Sequence, residues 1–129
     1  MELVQKVAPC GTEGKHWDFW LEESEAKLLV VDVHKEWCGP CSVMQPTFRR
    51  IYLDLEMPDQ RIAFLEADRS KVTAFAEAEE AEGEKMEVSC KPHFQLWKNK
   101  AMIAHIDGAN APEIAHLILE HVPDVPEDL

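Results

Sequence analysis

The sequence Leu28-Leu29-Val30-Val31-Asp32-Val33 leads through three further residues into Trp37-Cys38-Gly39-Pro40-Cys41. The first segment is almost continuously apolar, which is typical of a strand in a sheet that is covered on both faces. The second segment is predicted to begin a helix that runs toward Glu56, because apolar residues from Met44 to Leu55 recur at the spacing of one helical face. The sequence therefore predicts a buried strand followed by a helix whose first turn carries two cysteines.

The two cysteines of this motif are separated by two residues, a spacing found in redox dithiols and in one half of a zinc site. Zinc takes about four ligands, whereas Cys10 and Cys90 stand alone and the six histidines are scattered along the chain. We therefore predict a redox dithiol, with neither a metal nor another cofactor.

Within this dithiol, Cys38 is predicted to be the nucleophile. At the first turn of a helix it would meet unpaired amide donors and the positive end of the helix dipole, which lower the pKa of a thiol. Cys41 lies one turn further into the helix, close enough to attack a mixed disulfide and release the substrate as a thiol. The motif thus divides the exchange reaction between an attacking and a resolving thiol.

Asp32 places a carboxylate in the middle of the apolar strand. A buried carboxylate is costly and its pKa is expected to be raised, which suits it to exchange a proton with the inner thiol. The alternative is that Asp32 ends the strand exposed to water. We favour the buried acid, because such groups beside reactive side chains are typical of catalytic sites.

Composition limits the class of protein. The chain has 129 residues and a formal net charge of -12, with 46% hydrophobic and 29% charged residues, which indicates one globular domain. The acidic excess disfavours nucleic acids and anionic membranes as partners, so we expect protein partners.

The N-terminal residues show no basic leader or apolar segment, and an intracellular, cytoplasmic location is expected. There, four cysteines are more typical of catalysis or regulation than of a disulfide framework.

The remaining patterns predict an α/β fold with a mixed sheet of about five strands flanked by about four helices. The predicted strands are Leu3–Val7, Lys27–Val33, Arg61–Asp68, His93–Lys98 and Ala101–Asp107, and the predicted helices are His16–Glu25, Cys38–Glu56, Lys71–Glu82 and Glu113–His121. Pro46 should kink the second helix, a turn at Asn99-Lys100 should form a hairpin, and Asn110 should cap the last helix. We assign residues 1–122 to the domain and residues 123–129 to an acidic, proline-containing tail.

These features resemble the thioredoxin family across most of the chain. The resemblance is carried by Val30–Val33, Trp37-Cys38-Gly39-Pro40-Cys41, Pro46, Asp68, Pro92 and Gly108. It implies the thioredoxin fold, with Cys38 as the attacking thiol, Cys41 as the resolving thiol and Asp32 as the buried acid. It also implies that Pro92 is a cis-proline facing the dithiol. Trp37 is expected to cover the dithiol, whereas the other tryptophans are expected to pack in the core: Trp17, Trp20 and Trp97.

Within the family, the chain is similar to the thioredoxin-type light chains of flagellar outer-arm dynein and to thioredoxin domains joined to nucleoside diphosphate kinase modules in cilia. The residues that carry this likeness are Val31–His34, Phe64–Asp68 and Gly108–Pro112. It implies a redox-active light chain in the axoneme of a cilium or flagellum, bound to a dynein heavy or intermediate chain. The alternatives are a general cytosolic thioredoxin that reduces many protein disulfides and a non-catalytic docking subunit.

Some positions depart from the family pattern. Lys91 precedes Pro92 where general thioredoxins have a small or apolar residue, and this change in the substrate groove predicts a narrower range of protein disulfides. Cys90 lies two residues before Pro92 and is a possible regulatory thiol, open to intermolecular disulfides or glutathionylation. An inert, half-buried cysteine is an equal alternative.

Two further departures concern the buried acid and the hairpin. Glu66 stands where a basic residue is often found near the acid, and it would raise the pKa of Asp32 by like-charge repulsion if the two are close. Lys100 stands where thioredoxins usually have glycine, which predicts a strained turn.

Overall fold

A five-stranded mixed sheet is the central element of the computed structural model, which describes residues 3–8, 14–34, 43–68 and 93–125. The strands are β1 (Val4–Lys6), β2 (Leu28–His34), β3 (Ile62–Asp68), β4 (His93–Lys98) and β5 (Ala101–Asp107), in the spatial order β1-β3-β2-β4-β5. The α-helices in these ranges are α1 (Trp17–Glu23), α2 (Gln45–Asp54) and α3 (Ala111–His121), and Pro58–Gln60 forms a 3₁₀ turn. The predicted mixed sheet is confirmed, and the helix predicted at Lys71–Glu82 lies outside the described residues.

Strand direction follows from how the strands are connected. Strands β1, β3 and β2 are mutually parallel, whereas β4 is antiparallel to both β2 and β5. The parallel pair β2 and β3 is joined through α2 and the 3₁₀ turn, as parallel strands require a crossover connection. In the described ranges, no helix combines the length and the apolar character that a membrane crossing needs.

The two faces of the sheet carry separate core layers. Side chains alternate between faces along a strand, and β2 is buried on both, as its apolar sequence predicts. One layer, on what we call the α1 face, contains Trp17 and Trp20 together with Leu29, Val31, Val33 and Trp97. The other, on the α2 face, joins Leu28 and Val30 to α2 and α3 through Met44, Phe48, Ile51, Ile114 and Ile118. The predicted packing role of the three tryptophans is confirmed.

Aromatic contacts fix α2 against the sheet. The rings of Phe48 and Phe64 stack with centroids 4.6 Å apart, and Phe48 meets Phe94 edge-on at 5.9 Å. Such pairs add about 0.5–1.5 kcal/mol each beyond the burial of apolar area. Helix α2 is therefore held firmly over the centre of the sheet.

The start of α2 differs from its prediction. Val43 and Met44 form a turn and the described helix begins at Gln45, later than the start expected near Cys38. Pro46 consequently lies in the first turn, where its missing amide hydrogen would have no partner within the helix, so the expected interior kink does not arise in this helix. In α3 the predicted cap is confirmed, since the Asn110 side chain accepts a hydrogen bond from the Glu113 amide.

The hairpin between β4 and β5 turns at Asn99 and Lys100, as predicted. Both residues have positive φ, 53° and 64°, the conformation that a two-residue hairpin turn of this hand requires. Lys100 is therefore in a backbone region that residues with a Cβ atom disfavour. Hydrogen bonds from the two turn amides to Ser24, at the end of α1, hold this conformation.

Candidate functional site

Sheet topology brings four strand termini to one end of the sheet. The parallel strands β2 and β3 both end there, with His34 beside Asp68. Because β4 is antiparallel to β2, it begins at this end, and β5 finishes there with Asp107 beside His93. We call the end marked by these four residues the site end.

The predicted reactive residues are attached to the site end by the sequence. The chain leaves β2 at His34, four positions before Cys38, and enters β4 at His93, directly after Pro92. It leaves β5 at Asp107, directly before Gly108, whose φ of 87° is one that glycine adopts without strain. The described strand ends next to the dithiol segment, the Pro92 segment and Gly108 in the sequence therefore all lie at the site end.

Helix α2 also points its amino terminus toward the site end. It connects the carboxyl end of β2 to the amino end of β3, so it must run back along the sheet away from the site end. Its positive dipole end consequently lies on the side from which the dithiol segment enters.

Asp32 is buried near the site end, with only 4% of its surface exposed. Its position between Val31 and Val33, which both face α1, directs its side chain to the α2 face. The predicted burial is confirmed, and the alternative of a water-exposed strand end is wrong. Burial of a carboxylate among apolar side chains is the arrangement that a proton-exchanging acid needs.

Glu66 is the direct register partner of Asp32 on the parallel neighbour β3. Adjacent strands lie about 4.8 Å apart, and register partners on parallel strands project from the same face. Glu66 is half-buried. Asp32 and Glu66 are therefore neighbours on the α2 face. This closeness is the condition for the expected repulsion between their carboxylates.

The other predicted site residues lie outside the described part of the chain. These are Trp37, Cys38, Gly39, Pro40, Cys41, Cys90, Lys91 and Pro92. Among the described residues, no group of three or more His, Cys, Asp or Glu side chains is arranged to hold a metal ion.

A cavity of about 240 Å³ is lined in part by Trp20, Tyr52 and Ile62. Because Ile62 begins β3, this cavity lies toward the opposite end of the sheet from Asp32.

Sequence reasoning missed a polar chain on the α1 face of β4. His93, Gln95 and Trp97 are 1%, 0% and 6% exposed. The Trp97 indole donates to Gln95 Oε1 at 2.9 Å, the Gln95 and His93 Nε2 atoms are 3.4 Å apart, and His93 Nδ1 is 2.8 Å from Asp107 Oδ1. The available signal was the alternation of polar His and Gln with apolar Phe and Leu in a strand predicted to lie within the sheet.

Comparison with known proteins agrees with this architecture. The thioredoxin family profile matches residues 10–120. The 16 kDa light chain of the flagellar outer-arm dynein of Chlamydomonas reinhardtii is 36% identical over 96 residues, which are 74% of this chain and 58% of that protein. The 14 kDa light chain of the same outer arm is 30% identical over 104 residues, covering 81% and 73%.

A solved structure gives the same result for the fold. Thioredoxin NaTrxh of Nicotiana alata matches with a TM-score of 0.60 at 26% identity, covering 95% of this chain and 97% of that one. The profile match, the sheet order and the buried acid at the end of β2 lead to one conclusion. The chain belongs to the thioredoxin family.

Proposed function

We propose that this protein is a dithiol–disulfide oxidoreductase of the thioredoxin type that acts on protein disulfides through Cys38 and Cys41. The observation that carries the proposal is Asp32, a carboxylate with 4% exposure on the α2 face, six positions before Cys38. Burying a carboxylate costs free energy, and buried acids beside reactive groups are typical of catalytic sites. Its place near the end of the strand that leads into Trp37–Cys41 supports a role in proton exchange with that motif.

The proposed reaction has two exchange steps. The Cys38 thiolate attacks one sulfur of the substrate disulfide, forms a mixed disulfide and releases the other substrate sulfur as a thiolate, which takes a proton from water. Cys41 then loses its proton and attacks the Cys38 sulfur, which releases the second substrate thiolate and leaves a Cys38–Cys41 disulfide. Two electrons pass from the protein to the substrate, and an external dithiol reductant must restore the reduced protein.

Asp32 is assigned to the second step. We expect burial to raise its pKa, with the neighbouring carboxylate of Glu66 acting in the same direction. An acid with a raised pKa can accept the Cys41 proton near neutral pH and return it later. The proton leaves Cys41 as the new sulfur–sulfur bond forms.

Insulin reduction by the purified protein tests this assignment. We expect Cys38→Ser to abolish turnover and Asp32→Asn to slow it at least about tenfold, approaching the ~10²-fold that a positioned general base typically contributes. Asp54→Asn is the matched control, because Asp54 is an exposed aspartate at the end of α2. Full turnover by Cys38→Ser would overturn the proposed reaction, and an Asp32→Asn rate equal to that of the control would remove Asp32 from it.

We further propose that the protein serves as a light chain of axonemal outer-arm dynein in cilia or flagella. Support comes from the two Chlamydomonas relatives, both named as outer-arm dynein light chains. The chain spans 58% of the 16 kDa relative, so its binding to dynein heavy or intermediate chains is itself part of the proposal. The strongly acidic composition favours protein partners over nucleic acid or anionic lipid.

A trapping experiment in flagellar extract separates docking from chemistry. Cys41→Ser should capture redox partners covalently through Cys38, and the double variant Cys38→Ser/Cys41→Ser retains only non-covalent binding. Recovery of a dynein chain with both variants supports the light-chain role. Efficient reduction by thioredoxin reductase together with no dynein recovery would favour a general thioredoxin instead. Dynein binding without insulin reduction would favour a docking subunit.

A further inference from the structure

Helix α2 has a face that packs on the sheet and a face that does not. Phe48 and Ile51 are its buried residues and lie in the core layer of the α2 face. The exposed residues on the other side recur at spacings of three and four, so they form one stripe along the helix: Pro46, Arg49, Arg50 and Leu53. We call these four residues the arginine stripe. Leu53 is 74% exposed and lies one turn after both arginines.

The two arginines of the stripe are free to bind another molecule. Other basic side chains in the described ranges are held by carboxylates, by backbone carbonyls or against aromatic rings: Lys15, Lys27, Arg61, Lys98 and Lys100. In those same ranges, the side chains of Arg49 and Arg50 have neither a hydrogen bond nor an ion pair. A guanidinium group presents its donors in a fixed fork that matches a carboxylate. The stripe therefore offers two guanidinium groups to carboxylates from outside the chain.

The stripe is also a local exception to the charge of the protein. The chain has a formal net charge of -12, whereas α2 carries both arginines and a single acid, Asp54. The exposed residues of α3 include Glu113 and Glu120, so the basic character does not extend to that helix. Charges more than about 8 Å apart are largely screened at physiological ionic strength. A group bound on the stripe therefore interacts mainly with the two arginines and with Leu53.

We propose that the arginine stripe is a docking surface for an acidic amphipathic helix of a partner protein. Carboxylates of that helix pair with Arg49 and Arg50, and an apolar side chain one turn away covers Leu53. A helix suits this surface because its own side chains, at spacings of three and four, pack along the stripe. The inference goes beyond the proposed disulfide exchange, since it concerns the outward side of α2 and not the site end.

Other occupants match the stripe less well. Nucleic acids and anionic membranes extend beyond the two arginines and would meet the acidic remainder of the surface. A second copy of the chain carries the same net charge of -12, so two copies repel each other. An exposed leucine beside the arginines favours a partner with both carboxylates and apolar side chains, which an acidic amphipathic helix combines.

A titration with a synthetic peptide tests this chemistry. The probe is an acidic peptide of about 20 residues, long enough to form a helix, with Leu at spacings of three and four and Glu beside each Leu. Fluorescence anisotropy of the labelled peptide gives Kd at physiological ionic strength, and nitrogen-15 NMR of the protein locates the contact. We expect the shift changes to centre on Arg49, Arg50 and Leu53. The same peptide with Lys in place of every Glu should not bind.

Matched variants separate the stripe from the charge of the whole protein. Arg50→Glu should weaken binding of the acidic peptide at least about fivefold, because an attractive pair becomes a repulsive one. Lys15→Glu changes the net charge equally but lies beside the α1 rings of Phe19 and Trp20, and it should change Kd less than about twofold. Leu53→Ala should weaken binding about fivefold through lost apolar contact, whereas Leu119→Ala, at an exposed leucine of α3, should have little effect.

Photo-cross-linking in flagellar extract tests the native partner. With p-benzoyl-L-phenylalanine at position 53, we expect cross-linked partner peptides rich in Asp and Glu, and fewer of them when the probe is at position 119. Absence of a cross-link at position 53, a basic cross-linked segment or a second copy of this chain would overturn the inference. So would a wild type that does not bind the acidic peptide at about 1 mM, or equal losses in Arg50→Glu and Lys15→Glu. Binding is measured without turnover, so failure to reduce insulin would refute the proposed exchange and leave this inference standing.

Discussion

Ser24 links the end of α1 to the hairpin turn, and its replacement by alanine is expected to destabilise the fold measurably. The fully buried hydroxyl accepts a hydrogen bond from the Lys100 amide at 2.8 Å and donates one to the Leu21 carbonyl. The backbone carbonyl of Ser24 accepts from the Asn99 amide at 2.8 Å, and this contact survives the substitution. Ser24→Ala therefore removes two hydrogen bonds of about 1 kcal/mol each, or about 2 kcal/mol of unfolding free energy.

Urea unfolding followed by tryptophan fluorescence measures this loss. We expect a lower midpoint with an unchanged m-value and a melting temperature lower by roughly 6–10 °C for a domain of this size. The matched control is Glu22→Gln, which removes one of the exposed carboxylates that pair with the Lys100 ammonium at 3.1 Å. It should lower the midpoint only slightly, because an exposed ion pair contributes little. A loss below about 0.5 kcal/mol in Ser24→Ala, or an equal loss in the control, would refute the anchoring role of Ser24.

The other predictions concern charge and capping. The pKa of Lys100 is raised above its ordinary 10.5 by hydrogen bonds to Glu22 and Glu25, so its ion pairs stabilise the fold below pH 10.5 and cease to do so as pH rises through the folded-state pKa. The difference in urea midpoint between wild type and Lys100→Gln should therefore disappear in strongly alkaline buffer, and a constant difference would contradict this. Asn110→Ala should cost about 1 kcal/mol of unfolding free energy, because it removes the acceptor for the Glu113 amide at 3.3 Å. Asn110→Ser keeps a capping oxygen without adding a carboxylate beside Glu113, and it should unfold at nearly the wild-type midpoint.

The elements predicted most closely are those whose local pattern agrees with their packing. The bounds of β4 and β5 match the prediction because the turn residues Asn99-Lys100 separate two segments of strand propensity. The apolar neighbours of Asp32 predict its burial. The sequence predicts repulsion between Asp32 and Glu66 only on the condition that the two residues are close. Register between distant strands is set by the whole sheet, so a single sequence cannot show that these two carboxylates are neighbours.

The hydrogen-bonded polar side chains of β4 were not predicted, for a related reason. His93 and Gln95 are individually typical of exposed positions, and only the partners supplied by Trp97 and Asp107 make their burial tolerable. One partner lies two residues along the strand and the other lies on the neighbouring strand. The start of α2 was misplaced because periodicity locates a helix face better than a helix end.

The sheet itself separates the two polar features of the site end. Asp32 pairs in register with Phe94 on the α2 face, and the next residue, His93, projects from the α1 face. Asp107 is bonded to His93 on the α1 face, so the sheet lies between the two carboxylates. Loss of the Asp107 acceptor should therefore change the proton exchange assigned to Asp32 little. The double variant Asp32→Asn/Asp107→Ala should reduce insulin at about the rate of Asp32→Asn alone. A clearly slower double variant would show that the two faces are coupled through the sheet.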